Sequence, residues 1–211
     1  AKQMSLALSS RLINSETGNE MISGTIGQIF YFDDRDVHLA SNTKKHSDAS
    51  NLIGIVTGRF SDYWRFSGYT EFNTHAGYGE KNQIRFMYKK PYGKQNKIFN
   101  TSYRFQRGTQ EEIDLSGVLP VNNSLSLVGK LQYSFNNGRS NSEEMIDKMF
   151  GFEYESCCYG IKFVIRDHWN GTKKDSAFYF EFLPKGLATS DNQTSDLLKR
   201  GILGYQDEFD Y

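Results

Sequence analysis

The sequence predicts an all-β chain, an antiparallel transmembrane β-barrel portion of about 11 strands that is an incomplete piece of a larger barrel. Three observations predict it. Apolar and polar residues alternate with period two along most of the chain, as in strands that place their faces in different surroundings. Aromatics reach 15% of the 211 residues against only 3 prolines, which suits extended strands better than helices. Connections also sort by parity: counted from the first strand, every other one is short. Outer-membrane barrels show this asymmetry, whereas a soluble sandwich has no reason to sort its loops.

The strands are expected at 3–13, 20–32, 50–60, 63–72, 82–90, 97–106, 111–118, 124–135, 144–155, 158–166 and 175–183. In the first, Met4, Leu6, Leu8 and Leu12 alternate with Ser5, Ser9 and Arg11; in the fourth, Trp64, Phe66 and Phe72 alternate with Arg65, Ser67 and Glu71. Ile84, Phe86 and Tyr88 oppose Arg85 and Lys89, and Phe99, Tyr103 and Phe105 oppose Asn100, Ser102 and Arg104. The pattern is clearest in "SLSLVGKLQYSF", where Leu125, Leu127, Gly129, Leu131, Tyr133 and Phe135 face away from Ser126, Val128, Lys130, Gln132 and Ser134. Tyr159, Ile161, Phe163 and Ile165 then oppose Lys162 and Arg166, and "SAFYFEFL" puts Phe178, Phe180 and Phe182 on one side. Several strands have the roughly nine to eleven residues that a tilted strand needs to cross a bilayer.

The short connections are "NSETGN", "SD", "PYGKQN", "LPVNN" and the two residues before Cys158. The others are longer and more polar, "DDRDVHLASNTKKHSDA", "NTHAGYGEK", "NNGRSNSE" and "DHWNGTKK", except for the short one near Gly108. An Arg or Lys facing lipid near the midplane costs roughly 2–4 kcal/mol, so Arg85, Arg104, Lys130, Lys162 and Arg166 belong on the lumenal side. They are candidate contacts for an anionic ligand. Glu71, Asp114, Glu153 and Glu155 share that side, so charge balance within a polar lumen is the favoured role. Tyr31, Tyr63, Trp64, Tyr92 and Trp169 lie near strand ends, where they serve either as interfacial girdles or as ordinary strand packing. An odd strand number cannot close a single-chain bacterial barrel, and open edges in lipid leave backbone groups unsatisfied. The remaining strands are therefore expected before residue 1.

Other classes find little support. Lys plus Arg equals Asp plus Glu at 25 each, so no charge bias points to nucleic acid. No run of about 18 apolar residues predicts a transmembrane helix. The opening "AKQMSLALSS" carries neither an initiator methionine nor a leader pattern, as expected of an internal or C-terminal piece. All four histidines, His38, His46, His75 and His168, fall in predicted loops on one side, but no nucleophile motif accompanies them. "GYGEKNQ" and "PYGKQNK" lack the strand-to-helix context of a phosphate loop. No catalytic constellation, cofactor motif or metal-ligand spacing emerges, and the chain reads as a non-enzyme.

The only two cysteines, Cys157 and Cys158, are adjacent. Neighbouring Cα atoms lie about 3.8 Å apart, short of the usual disulfide span. Two readings stand: unpaired small residues, or thiols that each pair with a cysteine outside this sequence.

Several segments resemble the LptD family of lipopolysaccharide-assembly proteins of the Gram-negative outer membrane. "NSETGNEMISGTIGQIFYFDDRDV" (14–37) is similar to that family's "TG.E" turn and "GQ.YYF.DR.V" strand. "YRFQ" (103–106), "GFEYESCCYGIKF" (151–163), "FYFEFLPKGL" (178–187) and "ILGYQ" (202–206) resemble its later landmarks in order. "GQIFYF" and the vicinal cysteines are the most specific of these, and they separate this reading from a passive porin, which alternation alone does not.

The resemblance implies a large C-terminal barrel behind a periplasmic domain absent here. That barrel encloses the plug lipoprotein LptE, takes lipopolysaccharide from a periplasmic bridge protein through the N-terminal domain, and releases it to outer-membrane lipid through a seam between first and last strands. Residues 1–187 would be the C-terminal strands and 188–211 a periplasmic tail. Cys157 and Cys158 match the pair that makes long-range disulfides to the periplasmic domain. Ala177, Phe178, Tyr179, Phe180, Glu181, Phe182 and Leu183 match the last strand, one side of the seam and part of the signal read by the barrel-assembly machinery. The terminal "QDEFDY" has no assigned counterpart, and the seam's first strand is absent, so this piece cannot hold the gate alone. With the C-terminus in the periplasm, the two cysteines fall at a periplasmic turn in an oxidising compartment.

Overall fold

The computed structural model describes residues 2–32, 48–93, 95–135, 144–185 and 193–206. The strands are β1 (Gln3–Ile13), β2 (Glu20–Tyr31), β3 (Leu52–Arg59), β4 (Trp64–Asn73), β5 (Tyr78–Tyr92), β6 (Gln95–Gln106), β7 (Gln110–Pro120), β8 (Leu125–Ser134), β9 (Met145–Glu155), β10 (Tyr159–Trp169) and β11 (Lys174–Pro184). One helix follows, α1 (Gln193–Gly201). All the predicted strands are present, and they pair antiparallel in sequence order as a single 11-stranded meander. Among the described strands β1 pairs only with β2 and β11 only with β10, so the sheet is open at both edges.

The strand ends required correction at two hairpins. β5 begins at Tyr78 and β10 runs to Trp169, because the polar residues there still alternate and pair across the turn: Asn73 with Tyr78, His168 with Asp175, Trp169 with Lys174. "NTHAGYGEK" and "DHWNGTKK" therefore contract to turns at 74–77 and 170–173, closed by Gly77 and Gly171 at φ of 73° and 96°. The asymmetry of connection lengths then rests on 32–51 and 135–144. His168 lies in β10 and His75 in the 74–77 turn, while His38 and His46 fall outside the described residues. The three prolines, Pro91, Pro120 and Pro184, sit at the short-connection ends of β5, β7 and β11, where a missing backbone donor disturbs the ladder least.

Register places the predicted faces. Phe178, Phe180 and Phe182 of β11 project from one face at 78%, 63% and 52% exposure, and Leu8 of β1 at 72% shares their outward character. The opposite face is mostly polar, and one rung along it crosses six strands in register: Ile98, Val118, Val128, Gly151, Val164 and Tyr179. Helix α1 seats on this rung. Leu198 and Ile202 are fully buried against Ile98, Val118, Val128, Met149 and Val164, and this cluster is the core. Gly151 permits the close approach of β9 and β10, since a Cβ there would collide with the Phe163 carbonyl and Val164.

Candidate functional site

The polar face carries two charged layers, one on each side of the apolar rung. On the short-connection side, Glu153, Lys162 and Glu181 pair across β9, β10 and β11. Lys162 is fully buried; its ammonium donates to Ser195 Oγ at 2.5 Å and lies 4.0 Å from Glu153. Ser195 in turn donates its backbone N–H to Glu181 at 3.1 Å, and its hydroxyl lies 3.2 Å from the same carboxylate. Tyr205 donates its hydroxyl to Glu153. Farther along, Asn100 donates to the Leu203 carbonyl at 2.9 Å, and Lys89 to the Gly204 carbonyl at 3.0 Å and to Gln206 at 2.9 Å. Residues 193–206 thus form a strap from β11 to β5 across the polar face.

This strap decides what Lys162 does. A lysine hydrogen-bonded to a serine is one form of activated nucleophile. Both residues here are fully buried, so neither water nor a substrate reaches the hydroxyl, and the pair acts as an anchor. Lys162 is likewise out of reach of a lumenal ligand while α1 is seated.

On the other side of the rung, Asp147 is the hub. Arg166 donates to both its oxygens at 2.8 and 3.1 Å, Lys130 to Oδ2 at 3.2 Å, and His168 Nδ1 lies 3.8 Å away. Lys130 also approaches Asp114 at 3.6 Å. Two of the predicted lumenal cations are therefore committed to carboxylates, as charge balance requires in a layer flanked by apolar surface. Arg85 and Arg104 line the same polar face on β5 and β6, beside a cavity of about 310 Å³ that Lys130, Lys199 and Arg200 also line. The structure brings Arg85, Arg104 and Lys130 together and separates them from Lys162. Sequence reasoning missed the partners supplied by the strap, Ser195, Lys199, Arg200 and Tyr205.

In β11, Phe178, Phe180 and Phe182 face outward, while Ala177, Tyr179, Glu181 and Leu183 share the strap's face, where Glu181 binds Ser195. Its ladder edge away from β10 has no strand partner among the described residues. Cys157 and Cys158 occupy the exposed turn between β9 and β10 as free thiols, with sulfurs 2.8 Å apart. A hydrogen bond from the Cys158 thiol, then one from the Ser156 hydroxyl, pulls the Cys157 thiol below the ordinary range. The same contact pushes Cys158 up. Lys185 ties this turn to the end of β11 by donating its N–H to the Cys158 carbonyl at 2.9 Å and its ammonium to Glu155 at 2.5 Å.

An antiparallel meander with one apolar face, one charged face and two open edges is a section of a transmembrane β-barrel. Residues 1–142 match the family model LptD, LPS transport system D. The chain belongs to the LptD family. It is 30% identical over 211 residues to the LPS-assembly protein LptD of Nitrosococcus oceani, covering 99% of this chain and 28% of that protein. It is 27% identical to the LptD protein of Xylella fastidiosa strain Temecula1 (97% of this chain, 26% of that protein) and 25% identical to that of Thiobacillus denitrificans (98% and 27%). The chain thus spans between 26% and 28% of the length of these curated relatives.

Proposed function

We propose that the chain forms the C-terminal part of the wall of an outer-membrane translocon that inserts lipopolysaccharide into the outer leaflet, without catalysing a covalent step. The observation that carries this reading is the two-faced sheet of an LptD family member: an apolar face for lipid and a charged face along which sugars and phosphates move. Acyl chains leave sideways at a seam for which Ala177–Leu183 supply the last strand. Cys157 and Cys158 anchor an N-terminal periplasmic domain through disulfides. Their exposure in the turn between β9 and β10 supports this reading, and so does the lowered Cys157 thiol, since the thiolate is the form that attacks a disulfide. That turn faces the periplasm, and residues 193–206 fold back across the lumenal face. The plug lipoprotein LptE, the bridge protein and the barrel-assembly machinery are the expected partners of the whole protein.

The test is surface delivery. Cells depleted of the full-length protein should stop placing new lipopolysaccharide on their surface and recover when it is resupplied. Normal delivery after depletion would sink the proposal. The native chain should leave outer membranes only with detergent.

A further inference from the structure

The strap does more than fill space. The last turn of α1 brings Lys199 and Arg200 against the cavity of about 310 Å³ whose wall holds Arg85, Arg104 and Lys130. Cations at a helix C-terminus ordinarily serve the helix dipole. The wall opposite α1 gives these a second role. The cavity lining holds five cationic side chains against two carboxylates, Glu112 and Asp114. Both carboxylates are engaged: Asp114 lies 3.6 Å from Lys130, and Glu112 accepts from Gln132 at 3.0 Å. Lys130 is held by Asp147 as well. Neither Arg85 nor Arg200 forms an ion pair or side-chain hydrogen bond with another described residue. Two uncommitted guanidinium groups, from different elements, face one recess with a net positive lining. Guanidinium forks suit the paired oxygens of a phosphate, and low-dielectric walls strengthen their field.

We propose that α1 completes a phosphate-binding site on the lumenal wall, in which Arg85 and Arg104 with Lys199 and Arg200 hold a phosphate of an anionic glycolipid moving through the lumen. This rests on the reading that lipopolysaccharide passes along this face. The strap supplies half of the site, so release of the strap also releases the phosphate.

The experiment uses the full-length protein with its plug partner in detergent and measures binding of phosphorylated and enzymatically dephosphorylated lipopolysaccharide. The double variant Arg85→Gln/Arg200→Gln should weaken binding of the phosphorylated form roughly a hundredfold, the scale of two lost charge-assisted hydrogen bonds, and leave the dephosphorylated form unchanged. Lys173→Gln/Lys174→Gln, the same charge change at the β10–β11 turn, should do nothing. Arg104→Gln, outside the docking contacts of α1, should weaken the phosphorylated form by itself. Equal binding of the phosphorylated form by the variants and the unaltered protein overturns the site, as does equal loss of both forms. Inorganic phosphate should compete only weakly; if it fills the site as tightly as the lipid does, the glycolipid assignment is wrong. Failure of the unaltered protein to bind lipopolysaccharide at all would instead count against the transport reading.

Discussion

Replacing Lys162 with alanine should release the C-terminal strap and leave the sheet in place. Lys162 has no exposed surface and sits between Glu153 and Glu181, which retain only 9% and 7% exposure. Without it, two buried carboxylates lose their cation, Ser195 loses a donor, and the stem leaves a cavity beneath α1. Removing one partner of a buried ionic cluster costs about 3–5 kcal/mol. The apolar attachment that must absorb this is Leu198 and Ile202, with about 1.5–3 kcal/mol for each buried side chain before the ordering of the strap is subtracted. At about 1.4 kcal/mol per tenfold, opening of the strap should increase by at least roughly a hundredfold. Amide hydrogen exchange of residues 193–206 in the full-length protein reads this directly. Leu198→Ala should act in the same direction by about 2–5 kcal/mol. Adding Glu181→Gln to Lys162→Ala should restore part of the protection. The β9–β10 ladder, held by its own backbone bonds, should keep its protection in all of these. Strap exchange within about threefold of the unaltered protein after Lys162→Ala would refute the reasoning.

Three further outcomes are expected. Leu127→Arg, on the lipid face, should cost roughly 2–4 kcal/mol and lower the yield of the heat-resistant folded barrel on gels, whereas Gln132→Arg on the lumenal face should be tolerated. Gly151→Ala should block assembly by forcing β9 and β10 apart, while Gly129→Ala, whose new Cβ would meet Phe150 at an ordinary 3.5 Å, should assemble normally. In reduced protein, Cys157 should alkylate faster than Cys158 near neutral pH, because its lowered thiol ionises first as pH rises; Cys158→Ala removes the donor and should shift the Cys157 rate profile to higher pH.

The strands were legible because period two persists wherever two faces meet different surroundings, and all the predicted strands formed. Two hairpins were read too short because polar pairs such as His168 and Asp175 look like loop residues until their register is known. The helix was missed. Nine residues are too few to be helical by propensity alone, and α1 depends on the rung beneath it. Its signals were present: Asp196 in the first turn, Lys199 and Arg200 in the last, and Leu198 and Ile202 four apart. A second signal lay in the strands, where Ile98, Val118, Val128 and Val164 interrupt the polar face, a sign that something apolar covers it. That Arg85, Arg104, Lys130, Lys162 and Arg166 share one face of the sheet followed from alternation. Which of them were already committed did not, because Asp147 and Ser195 reach them only through tertiary contacts.

The central claim is that lipopolysaccharide moves along the charged face of this sheet. Photoreactive residues placed in the full-length protein in living cells test it most directly, at Ser102 on the lumenal face and at Leu127 on the lipid face. The account predicts lipopolysaccharide crosslinks at Ser102 that disappear when supply of the lipid is stopped, and only ordinary membrane lipid at Leu127. Supply-dependent crosslinks at Leu127 with none at Ser102 would contradict it.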